Sequence, residues 1–120
     1  METAGQGLQI DGSTQTFVDF LYRGIEKAEL ARNALKESDG IGAKSHAKGG
    51  REWLSLTMRN EYDGISNGPA TELTSKIRRL DQCLKAVLEQ PTKYLPRNLS
   101  HYIRLCRTQL DNFEKFYNKN

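Results

Sequence analysis

Two histidines, two cysteines and a glycine-rich stretch are the residues from which chemistry would be built, and their spacing argues against most of it. His46 lies close to the Gly49-Gly50 pair and His101 on the polar side of an apolar stripe. Neither stands in an arrangement of nucleophile, base and orienter, so surface or capping roles are expected for both. Cys83 and Cys106 form no C-x-x-C pair and have no histidine at ligand spacing. They read as reduced packing residues, not as a zinc site or a disulfide framework. A di-metal bundle needs Glu-x-x-His on paired helices. A phosphate loop needs G-x-x-x-x-G-K-[S/T], and Gly40, Gly42, Gly49 and Gly50 give glycine without that pattern. The expectation is therefore a protein that is no enzyme and carries no metal or cofactor.

The charged residues offer a rival chemistry. The net charge of +3 hides a skew: residues 1–75 hold 8 Lys/Arg against 11 Asp/Glu, and residues 76–120 hold 10 against 4. Lys76, Arg78, Arg79, Lys85, Lys93, Arg97, Arg104 and Arg107 could track a phosphate backbone, with Tyr94 and Tyr102 as stacking groups. Against this, Arg78 and Arg79 are adjacent and point in different directions on a helix. Charges scattered along helices more often form a solvated face. The single Trp53 reads as a bundle-edge aromatic with a wet indole N–H in preference to a binding residue.

The elements that must position these residues follow from apolar periodicity. At 120 residues, with 37% apolar and 28% charged residues and a mean hydropathy of -0.70, one soluble domain is expected and no membrane span. The first helix follows the turn and cap signals Asp11-Gly12-Ser13-Thr14. It places Val18, Leu21, Ile25, Ala28, Ala31 and Leu35 on one face and ends near Ser38. The glycine-rich stretch Ile41 to Gly50 reads as a connection, after which Leu54, Met58, Tyr62 and Ile65 share a face up to Asn67-Gly68. Pro69 suits the first turn of a third helix with the stripe Ala70, Leu73, Ile77, Leu80, Leu84 and Val87, closed by Gln90-Pro91. The fourth begins between Thr92 and Pro96 and aligns Leu99, Tyr102, Ile103, Cys106, Leu110, Phe113 and Tyr117. The fold expected is all-α, an antiparallel up-down four-helix bundle over residues 14–120, with connections near 39–46, 67–69 and 90–96. Residues 1–13 read as a short flexible arm without the basic and apolar runs of a secretory signal, which implies a cytoplasmic chain. Leu8 and Ile10 are the large apolar residues of that arm, placed to dock reversibly on the bundle. Gly24 interrupts the first helix at a cost of about 1 kcal/mol relative to alanine, so either a fixed neighbour or an exchangeable partner comes close there.

At Leu21-Tyr22-Arg23-Gly24-Ile25 the chain resembles the flagellar secretion chaperone family, cytoplasmic helical proteins that bind flagellin before export. The family carries a Leu-Tyr-Asp-Gly-x-Ile type motif in its first long helix, followed by a helix rich in alanine and charge, here Glu26 to Leu35. Gly68-Pro69-Ala70-Thr71-Glu72-Leu73 stands where the family has Gly-Gly-Glu-Ile-Ala-x-Asn-Leu. The resemblance spans Ser13 to Phe116. It departs at Arg23, where the family has aspartate, and at Ile77-Arg78-Arg79-Leu80, where the family has a Leu-Tyr-Asp-Tyr-like segment. The family's acidic character and the tyrosines of its arm are also missing.

The resemblance implies an export chaperone that masks the C-terminal helical segment of flagellin and prevents premature polymerisation. It would act as a monomer in a 1:1 complex, by laying the client's amphipathic helix into a groove of the bundle. The residues it points to are Leu21, Tyr22, Gly24, Ile25, Leu73, Ile77 and Leu80; Leu8 and Ile10 join them as the apolar residues of the arm, expected to fold back onto the groove that the client also uses. The alternatives are a small helical nucleic-acid-binding protein and a structural subunit of a larger assembly.

Overall fold

The computed structural model of the protein describes residues 12–59, 69–91 and 95–118. Among these residues there are four helices and no strand: α1 (Gly12–Lys36), α2 (Gly40–Arg59), α3 (Pro69–Glu89) and α4 (Leu95–Asn118). They form a four-helix bundle of 50 × 20 × 19 Å. Each helix packs mainly on its neighbours in sequence, and α4 closes the ring against α1, which is the up-down arrangement that short connections impose. Leu8, Ile10, Tyr62, Ile65, Asn67-Gly68, Lys93 and Tyr94 lie outside the described residues, as do the side chains of Ala70 and Tyr117.

Periodicity predicts the core well. Val18, Leu21, Ile25, Ala28 and Ala31 of α1, Leu54 of α2, Leu73, Ile77, Leu80, Leu84 and Val87 of α3, and Leu99, Ile103, Cys106, Leu110 and Phe113 of α4 are all buried. Phe17, one position before the expected stripe, is buried too, its ring 5.5 Å from that of Phe113. Leu35, Met58 and Tyr102 pack against the core's edge.

The connection expected over 39–46, and the wider glycine-rich stretch to Gly50, is corrected by the structure: α2 already begins at Gly40. Only Glu37, Ser38 and Asp39 separate α1 from α2. Ser38 takes a left-handed conformation (φ 61°), its N–H bonds the Leu35 carbonyl at 3.1 Å, and the Asp39 N–H bonds the Ala34 carbonyl at 2.8 Å. This is the hydrogen-bond pattern of a Schellman stop, with serine in place of the usual glycine. Asp39 then caps α2, its Oδ1 accepting the Gly42 N–H at 2.8 Å.

What holds the glycine-rich part of α2 in a helix is close packing on α1. Ala28 and Ala31 of α1 and Ala43, Ala47 and Gly50 of α2 are small and buried. A Cβ on Gly50 would lie 3.0 Å from Leu84 Cδ1 and 3.3 Å from Lys27 Cβ. A Cβ on Gly24 would lie 2.6 Å from Leu54 Cδ2. The neighbour of Gly24 is thus Leu54, a fixed part of the core.

Candidate functional site

A cleft of about 830 Å³ lies between α2 and α3. The register of the two helices explains its composition. On α2, Leu54 and Met58 are four residues apart and turn toward α3, where Ile77 and Leu88 meet them as the apolar floor. Leu56, off the buried stripe, stands at the cleft as a leucine 38% exposed. Lys48, Arg51, Arg59 and Arg78 supply positive charge around that floor, against Glu52 and Asp81. The lining therefore carries a surplus of cations over an apolar base.

One ion pair bridges the two walls. Arg51 Nε donates to Asp81 Oδ1 at 2.9 Å and its Nη2 to Oδ2 at 3.2 Å, a bidentate contact between α2 and α3. The bond to Asp81 raises the Arg51 guanidinium above its ordinary value, outweighing the opposing effect of desolvation. Both side chains are about one-third exposed, so the contact orients the walls more than it stabilises the fold.

The residues to which the resemblance points are not gathered in this cleft. Leu21, Ile25, Leu73 and Leu80 are fully buried in the core, and Gly24 is covered by Leu54. Ile77 is buried and at the same time forms the cleft floor. Tyr22 is on the α1–α4 side, 37% exposed, its hydroxyl donating to Glu114 Oε1 at 2.9 Å. Leu56, Met58, Leu88 and the Arg51–Asp81 pair were not among the expected site residues. Leu56 is the one with a sequence signal, a large apolar residue outside the periodic stripe.

The basic residues of α3 and α4 divide between faces instead of forming one track. Arg78 lines the α2–α3 cleft, and Arg107 donates to Glu29 of α1 through Nε at 3.1 Å and Nη2 at 2.8 Å. Trp53 is half-buried at the α1–α2 edge, its ring 5.4 Å from Phe20 and under the Arg23 guanidinium at 5.3 Å. The two cysteines are free. Burial pushes the Cys106 thiol up to about 12 and raises that of Cys83, the opposite of what a nucleophilic thiolate requires. Among the described residues no cluster of His, Cys, Asp and Glu could hold a metal ion, and no helix is long and apolar enough to cross a membrane. Compared with known protein families, curated proteins and solved structures, the chain matches none.

Proposed function

We propose that the protein acts by binding and not by catalysis, as an export chaperone that holds an amphipathic helical segment of a client in the α2–α3 cleft. The observation that carries this reading is the cleft itself: an apolar floor of Leu54, Met58, Ile77 and Leu88 with cations around it. A helix laid into such a groove buries its apolar face, gaining about 25 cal/mol per Å² of apolar area removed from water. The cationic surplus selects a segment with acidic residues flanking that face. The C-terminal segment of flagellin is the client implied by the resemblance at Leu21-Tyr22-Arg23-Gly24-Ile25, with a 1:1 complex in the cytoplasm.

Titration of the protein with a flagellin C-terminal segment and with a DNA duplex, each at two ionic strengths, tests the reading. A 1:1 complex with the segment, weakened by Leu56→Asp and Met58→Asp and only modestly by salt, is expected. Binding of the duplex with a steep loss of affinity in salt would replace the chaperone with a nucleic-acid binder. Segment binding unaffected by both cleft substitutions would move the site elsewhere on the bundle.

A further inference from the structure

The α1–α4 seam, across the bundle from the cleft, carries polar contacts with a regular spacing. Tyr22 meets Glu114, and seven residues further along each helix Glu29 meets Arg107. The same step places Lys36 opposite Ser100, and these two residues line a cup of about 500 Å³ at the end of the seam. Here the pattern changes. The first two levels pair an acid with a donor, whereas the third holds Lys36, Arg97 and Arg104 with His101 and Ser100. Arg97, His101 and Arg104 stand on one face of α4 at steps of four and three, and all are exposed. Among the described residues no acid pairs with Lys36, Arg97 or Arg104. Glu37 and Asp39, the nearest acids in sequence, are not part of the cup's lining, and Asp39 is committed to the α2 cap.

We propose that this cup is a binding site for a phosphate group, one that takes at the third level of the seam the place that carboxylates hold at the first two. Three cations from two helices line one concave surface, and Ser100 adds a hydroxyl to the same lining. Two guanidinium forks and an ammonium suit an anion with several oxygens. The site is one level deep. A polyanion continuing along the seam would meet Glu29, then Asp111 and Glu114, whereas a single phosphate or phosphate monoester meets only the cations. The site is independent of the client-binding cleft, because α1–α4 and α2–α3 are opposite sides of the bundle.

The test is an NMR titration of the full chain with inorganic phosphate at constant ionic strength, chloride serving as the control anion. Saturable shifts confined to Lys36 and residues 97–104 are expected. Arg97→Gln combined with Arg104→Gln should weaken binding by about tenfold or more while leaving the spectrum of α2 and α3 in place. Lys36→Gln gives a second reading on the other helix should the double variant fold poorly. Glycerol phosphate and phosphatidic acid vesicles, added in separate arms, distinguish a soluble ester from a lipid headgroup. Shifts that do not saturate, that spread equally to Lys44 and Lys85, or that persist unchanged in the variants would overturn the proposal.

Discussion

Gly24 and Gly40 show how different two helical glycines can be. A side chain at Gly24 would run into Leu54, with Cδ2 at 2.6 Å and Cγ at 3.0 Å, while a Cβ at Gly40 meets nothing within 4 Å. Gly24→Leu should keep its helical circular dichroism and lose about 1–3 kcal/mol of stability through overpacking. Gly40→Ala should gain about 0.4–1 kcal/mol by narrowing the unfolded ensemble. Urea midpoints of the two variants and the parent check both signs. If Gly24→Leu melts with the parent, α1 and α2 are not packed as closely as the Leu54 distances require.

The junction of α1 and α2 rests on three residues, and one of them serves both helices. The Asp39 N–H closes the end of α1 on the Ala34 carbonyl, and its carboxylate caps α2 at the Gly42 N–H. The carboxylate also fills the space beside Gly42, where an added Cβ would lie 2.8 Å from Asp39 Cγ. Asp39→Ala should therefore cost about 1 kcal/mol, while Asp39→Asn, which keeps an accepting oxygen, should recover most of the loss. Amide hydrogen exchange locates the effect: protection should fall first in the opening turn of α2. A loss spread evenly over all four helices would show that the cap does not act locally.

For the bundle as a whole, the α1–α4 seam links stability to alkaline pH through Tyr22. Partial burial, and after it the hydrogen bond to Glu114, raises the Tyr22 phenol above its ordinary 10.0. The folded chain then holds that proton more tightly than the unfolded chain does. The contribution is complete below the unfolded value, and declines as pH rises from there through the raised folded value. Tyr22→Phe should lessen the fall in urea midpoint from about pH 10 upward, the ordinary tyrosine value at which the loss begins. An alkaline slope identical in parent and variant would remove Tyr22 from the linkage. Because Tyr22 is 37% exposed, solvent screening keeps its effect small.

The sequence by itself determined that there are four helices in up-down order and which faces of α1, α3 and α4 are buried, because an apolar stripe at steps of three and four is a local property of the chain. Leu73, Ile77, Leu80, Leu84 and Val87 follow that pattern and are all buried. Helix geometry needs no knowledge of the partner to bring such residues to one side. Only the tertiary structure decided that residues 40–50 are helical. Local propensity penalises each glycine in a helix by about 1 kcal/mol, and the compensating close contact comes from Lys27 and Leu84, distant in sequence. It also decided the sites. Leu56 becomes part of a cleft only when Ile77 and Leu88 of α3 lie opposite α2. Lys36 joins Arg97 and Arg104 only because the α1–α4 register, set by core packing between helices far apart in the chain, brings Lys36 and Ser100 to the lining of one cup.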